Sequence, residues 1–231
     1  MVTVTGLAGL LAGGWWVTNS PVFDVRSLSL SGNRQLAPSE VSRLGGLGEG
    51  TNVLWFSPGA VEARLERSPW VLWATVTRTL PSTIAVRIRE RAPVAVLPGR
   101  TPLLLAADGT VLGTIDQSAS RLPLLEGVPA GLRAGQRILP GTPALLAAAS
   151  LPPSLRPRVA TVGLDSEDRL TLRLSGGGEV IYGDATRAEE KGDALLAVLL
   201  WATRHEIRVE SIDLRAPIAP ALRPQTQETS Q

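Results

Sequence analysis

Residues 78–97 read RTLPSTIAVRIRERAPVAVL, and the reading of this stretch decides the fold. Ile84, Val86 and Ile88 alternate with Ala85, Arg87 and Arg89, the two-residue period of a strand with one buried face. Pro81-Ser82 turns the chain back toward PWVLWATVTRTL (69–80), so two strands are expected, over 69–80 and 82–96, with Pro93 marking where regular alternation fails. Glu90, between Arg89 and Arg91, raises the one question of chemistry in the stretch: a catalytic carboxylate held by guanidiniums, or the exit of a strand. A catalytic acid needs a second acid, a base or a metal beside it, and the neighbouring sequence supplies none. Glu90 therefore reads as one half of an ion pair at a strand end, worth ~0–1 kcal/mol.

Upstream, VRSLSLSGNRQ (25–35) alternates and stops at a Ser-Gly-Asn turn. APSEVSRLGGL (37–47) reads as a short helix, with Pro38 in its first turn and Gly45-Gly46 at its end. SPGAVEARLERSP (57–69) is a second helix, capped by Ser57, with Val61 and Leu65 on one face. The order over this half is strand–helix–helix–strand–strand. Trp70 and Trp73 crowd the first strand of the hairpin; one at least belongs in the core, and Trp73→Ala should then cost a few kcal/mol.

Downstream, PGRTP (98–102) has linker composition, and PLLLAADGTVLGTI (102–115) is a hairpin around Asp108-Gly109. LPLLEGVP (122–129) admits a short strand, TPALLAAASLPP (142–153) a helix stopped by prolines, and 159–165, 169–175 and 178–184 three strands. TRAEEKGDALLAVLLWATRHE (186–206) is a long helix: Thr186 and Glu189 form a capping box, and Leu195, Val198, Leu199 and Ala202 make its apolar stripe. RVESIDLRAP (208–217) is a final strand, and PQTQETSQ at the end has the composition of disorder.

The chain has 231 residues, no cysteine, and 23 basic against 21 acidic side chains, the basic ones being 22 arginines and Lys191. Disulfides, thiolate catalysis and cysteine-ligated zinc are excluded. The arginines are dispersed rather than clustered with aromatics, which argues against nucleic-acid binding. The first 20 residues carry no ionisable side chain. As a helix, Val2–Val17 would span roughly 24 Å, short of a ~30 Å hydrocarbon core. Trp15 and Trp16 at its far end suit a membrane interface. A cleaved leader lacks its basic region here, and four glycines count against a buried helix, so residues 1–20 are expected to be a membrane anchor. With no lysine or arginine ahead of the run to mark a cytoplasmic side, the residues do not set its orientation.

No catalytic set emerges. His205 is the one histidine and sits at a helix end. Asp165, Glu167 and Asp168 fall in a tight turn without calcium-loop spacing. Gly176-Gly177-Gly178 has no Lys-Ser/Thr after it, and serines such as Ser31, Ser57 and Ser175 have no histidine nearby in sequence. No cofactor, metal or small-molecule substrate is expected.

SLSGN followed by APSEV, the hairpin SPWVLWATVTRTLPSTIAVRIRERAPVAV, the Asp-Gly hairpin, Tyr-Gly-Asp, Lys191 early in a helix and Ile-Asp-Leu-Arg occur in an order that resembles the bacterial cell-division family FtsQ, also called DivIB. The resemblance covers about residues 1–223. It implies an α+β chain: a transmembrane helix (1–20), a POTRA domain of order β-α-α-β-β (24–97), a mixed antiparallel β-domain with a C-terminal helix and an edge strand (98–217), and a flexible tail (218–231). It implies no enzymatic activity. The role implied is that of a single-pass inner-membrane protein of the division septum, its bulk outside the cytoplasm, holding an FtsB (DivIC)-like protein and its FtsL-like companion near septal peptidoglycan synthases. Carried over by position, the partner-binding residues are Ile212, Asp213, Leu214, Arg215, Ala216, Ile218 and Leu222. Pro217 and Pro220 depart from the family and cannot donate to a ladder, so pairing there is expected to be shorter, shifted, or replaced by docking of Ile218 and Leu222. Two rival readings ask for features of their own. A POTRA-bearing outer-membrane assembly component would need repeated ten-residue barrel strands where a helix and prolines stand. An exported hydrolase would need convergent acids among Glu90, Asp108, Asp165 and Asp184.

Overall fold

The structure is a computed structural model that describes residues 13–225 apart from Glu49, 115–120, Ala130 and Pro140. The chain divides into two compact units, before and after the Arg91–Ala92 bond.

The first unit is built on the stretch quoted above. β1 (Ser27–Ser31), β2 (Val71–Thr79) and β3 (Thr83–Glu90) form a sheet of order β1-β3-β2, with β1 parallel and β2 antiparallel to β3. Two helices join β1 to β2: α1 (Pro38–Gly45), ended by Gly46 in the left-handed region, and α2 (Pro58–Leu65), whose first turn is capped by the Ser57 hydroxyl. Val41, Val61, Leu65, Ile84, Val86 and Ile88 pack as one core.

Glu90 proves to be a structural acceptor. Its two carboxylate oxygens accept from the backbone N–H groups of Gln35 and Leu36, at 2.8 and 2.9 Å, and fix the approach to α1. Arg91 donates to the carbonyls of Pro69 and Val71. The charged end of the strand thus closes the domain against its own backbone.

Trp73 is not in the core. A register irregularity between Val71 and Trp73 shifts the alternation, so Val71, Ala74 and Val76 turn inward and Trp73 faces out, 36% exposed. Trp70 is the tryptophan that packs against the core, partly buried. β2 is an edge strand, yet two of its N–H groups are occupied: Ala74 donates to Glu66 at 3.0 Å and Val76 to Glu62 at 2.7 Å. Two glutamates one helical turn apart on or just past α2 therefore reach across and blunt this edge.

The expected strand over 82–96 is in fact two. β3 ends at Glu90, and β4 (Pro93–Leu97) belongs to the sheet of the second unit, so the division falls ahead of residue 97. Pro93 and the turned-back Arg91 side chain are what separate them. The remaining strands are β5 (Leu103–Ala106), β6 (Val111–Thr114), β7 (Leu124–Leu125), β8 (Val159–Leu164), β9 (Leu170–Leu174), β10 (Glu179–Gly183), β11 (Val209–Asp213) and β12 (Ala221–Pro224). They form one mixed sheet of order β12-β11-β10-β9-β8-β7-β4-β5-β6. The pairs β4–β7, β7–β8 and β10–β11 are parallel and the others antiparallel.

Two helices, α3 (Pro143–Ser150) and α4 (Ala188–Arg204), contribute Leu145, Leu195 and Leu199 to the core of this unit. They meet at Gly192, where an added Cβ would lie 2.7 Å from the carbonyl oxygen of Ser150. α4 lacks the expected capping box. Arg187 precedes it in the left-handed region with no side-chain cap, because the Thr186 hydroxyl donates to Asp184 instead.

The C-terminal segment also differs from expectation. The last long strand stops at Asp213, and part of the stretch read as a flexible tail, Ala221–Pro224, is strand β12 paired antiparallel with β11. Residues 226–231 of the expected disordered end lie outside the described residues. So does most of the expected anchor, residues 1–12; the described remainder is helical over 13–18. Among the described residues no helix is long and apolar enough to cross a membrane.

Candidate functional site: the β12 edge and its support

β11 is not the edge of the sheet, because β12 covers it: Asp213 pairs with Ala221, Ile212 with Leu222 and Ser211 with Arg223. The outermost strand is β12, and its other side has no strand partner among the described residues. The residues singled out in sequence consequently lie at different depths. Ile212 and Leu214 are fully buried and carry the core under the edge. Leu222 is half-buried, packed on that core from β12. Ala216 and Ile218 are exposed, Ile218 at 83%, in the turn between β11 and β12.

That turn is held by several hydrogen bonds. Asp213 takes the Arg215 guanidinium on both oxygens, with contacts of 2.6–3.1 Å, and accepts from the Arg215 N–H as well. The Arg215 hydrogen bonds hold the Asp213 carboxyl below its ordinary value. Ala219 donates to the carbonyl of Ala216, which closes a turn around Pro217 and Ile218, Pro217 being buried. Gly183 lies against the stem of Arg215; a Cβ there would stand 2.9 Å from Arg215 Cγ.

Below the turn, a buried lysine pins the end of β10. Lys191 is 2% exposed and its Nζ donates to the carbonyls of Tyr182 and Asp184, at 3.0 and 2.9 Å, and to the Asp184 carboxylate at 2.9 Å. Tyr182 is buried alongside; its hydroxyl donates to Ala188 O at 2.8 Å and shares a hydrogen bond with Ser150. Burial pushes the Tyr182 phenol up. The Thr186 hydroxyl, then Lys191, draws the Asp184 carboxyl down to about 2. A cation so placed is fully partnered, as burial requires. The knot ties β10, α3 and α4 together, and β11 pairs on β10 through bonds such as Leu214 N–H to Ile181 O. In sequence, Tyr-Gly-Asp and the early Lys191 were visible as motif residues, but nothing there showed that they bond to one another.

The acids that a hydrolase would bring together are each engaged by different partners. Asp108 accepts from Thr110 N–H and faces Arg137; Asp165 accepts from Glu167 and Arg169; Asp184 holds Lys191; Glu90 serves Gln35 and Leu36. His205 stacks on Trp201 at 4.5 Å and bonds its carbonyl at the end of α4. Among the described residues no group of acids and histidines is placed to hold a metal ion. What the site presents is β12, a strand with no strand partner on its outer side among the described residues, on a sheet braced from below by Lys191.

Comparison with known proteins agrees with both units. Residues 23–91 match the family model described as POTRA domain, FtsQ-type, and residues 96–215 match that of the cell division protein FtsQ/DivIB, C-terminal. The chain is 29% identical over 228 residues to the cell division protein FtsQ of Streptomyces bingchenggensis, covering 95% of this chain and 84% of that protein. It is 29% identical to the namesake of Streptomyces collinus over 234 residues, 96% and 86% of the two chains. With that of Mycolicibacterium smegmatis it shares 30% identity over 185 residues, 78% of this chain and 53% of the relative. With the two folded units in the order and extent of these matches, the chain belongs to the FtsQ/DivIB family of bacterial cell-division proteins.

Proposed function

We propose that the protein is a divisome scaffold that holds an extended segment of an FtsB (DivIC)-like protein, and through it an FtsL-like companion, along the outer side of β12. The observation that carries this reading is the position of β12 as the outermost strand of the sheet, braced by the Lys191 knot and the Asp213–Arg215 clasp. An added strand takes its affinity from backbone hydrogen bonds and its selectivity from alternate side chains. Ile218 and Leu222 supply an apolar contact at the head of that strand and under it. Scaffolding of this kind would place the partners beside septal peptidoglycan synthases and restrain or license them. Trp15 and Trp16 serve as the interfacial end of a single-pass anchor, with the bulk of the chain extracytoplasmic.

The test is calorimetric titration of the full chain in detergent with the extracytoplasmic segment of the host's FtsB-like protein. Leu214 is unsuited to a blocking substitution because it is core. Ile218→Asp combined with Ala221→Asp places charge at two exposed positions instead. Binding by the parent and a loss of about tenfold or more, ~1.4 kcal/mol, in a variant with parental circular dichroism supports the reading. A folded parent that does not bind refutes it.

A further inference from the structure

Two stretches of this chain are free of ionisable side chains where they meet: residues 1–23 and residues 50–61. The fold of the first unit brings them together. Val25 N–H donates to Thr51 O at 2.8 Å, Val53 N–H to Phe23 O at 2.8 Å, and the Asn52 side-chain amide to Thr18 O at 2.9 Å, while Asp24 and Asn52 form an isolated bridge. Leu54 N–H donates to Asn52 Oδ1, so one asparagine side chain holds both the incoming segment and the loop that carries Trp55. The outcome is that Trp55 stands over Trp15, ring centroids 5.9 Å apart. Trp15, Trp16 and Trp55 are 66, 78 and 59% exposed, and Val17 and Val22 beside them are exposed as well.

A soluble surface rarely gathers so many large apolar side chains without a partner. The chemistry of the patch selects one. Tryptophan combines an apolar ring with a single N–H donor, which suits a medium that is apolar on one side and wet on the other. Neither contributing stretch carries a charge of its own, and the guanidiniums that border them, Arg78 on the carbonyls of Leu54 and Phe56 and Arg26 on that of Pro21, suit the headgroup side of the same boundary. The apolar run that leads into Trp15 in sequence is continuous with the patch.

We propose that Trp15, Trp16 and Trp55 form one interfacial footing, by which the first unit rests on the headgroup–acyl boundary of a lipid bilayer. Trp55 is the new member: it comes from the loop before α2, far along the chain from the anchor, and converts a flexible tether into a unit of fixed attitude on the membrane. This inference rests on the reading of the N-terminal run as a membrane anchor.

The chain has no cysteine, so Trp55→Cys creates a unique site for a nitroxide label, at an exposed position that the core does not use. The labelled full chain is mixed with phosphatidylcholine–phosphatidylglycerol vesicles, floated, and its collision rates with oxygen and with a water-soluble nickel chelate are compared. Flotation with the vesicles, oxygen collisions exceeding those with the chelate, and reversal of that order when the vesicles are replaced by buffer with the chain released by protease, is the expected result. A chain that floats while its label meets the chelate more often than oxygen overturns the footing and leaves the anchor standing. A chain that does not float overturns both.

Discussion

Replacing Lys191 by methionine isolates what the buried lysine does. Methionine keeps the unbranched stem, so little packing volume is lost and the effect comes from hydrogen bonding. Three bonds of 2.9–3.0 Å disappear, two to carbonyls and one to a carboxylate. Tyr182 O loses its donor at a buried residue, a cost of ~1–3 kcal/mol for an unsatisfied acceptor. Asp184 is 67% exposed at its side chain, so its oxygens recover water and contribute toward the low end of that range. The sum is about 3 kcal/mol, carried mainly by the stranded buried acceptor rather than by the exposed carboxylate. For a chain of this size that corresponds to a fall in Tm of ~6–12 °C. Thermal and urea unfolding of the second unit, followed by circular dichroism, measures it. A variant within ~0.5 kcal/mol of the parent would refute the claim that Lys191 braces the sheet. The pH dependence has a definite sign. Asp184 has its folded pKa lowered to about 2, below an unfolded value of ~3.9. Its contribution is present above the unfolded value and is lost as pH falls through that window to about 2. Because the Thr186 hydroxyl is the larger cause, part of this acid sensitivity persists in Lys191→Met.

Two further substitutions test the packing. Glu62→Ala with Glu66→Ala frees the N–H groups of Val76 and Ala74 on the β2 edge. The double variant should lose ~1–3 kcal/mol and self-associate with rising concentration in sedimentation velocity, whereas a monomer of parental stability would show that the carboxylates do not guard the edge. Gly192→Ala raises helix propensity yet sets a Cβ 2.7 Å from Ser150 O. It should destabilise by ~1–3 kcal/mol through forced separation of α3 and α4, and a stabilised variant would mean the helices part at no cost.

Much of this protein could be read without coordinates, because its signals are local. The alternation of Ile84, Val86 and Ile88, the Ser57 cap with Pro58, the glycine stop of α1 and the Asp108-Gly109 hairpin each depend on residues a few positions apart, and each element formed where the pattern placed it. The same order of segments carried the family resemblance. What the tertiary structure decided are facts about partners distant in sequence. Glu90 looked like an ion-pair residue beside Arg89 and Arg91, but its oxygens are taken by Gln35 and Leu36. Trp73 follows the strand period only until a register irregularity turns it outward. Ala221–Pro224, short and rich in proline around it, has no strand signal of its own and becomes β12 because β11 offers an open ladder to pair with. Which strand is outermost, and so which edge is proposed to bind, turned on that pairing. A strand's period is written in its own residues, whereas its neighbour, and which side remains unpaired, is settled only when the whole sheet assembles.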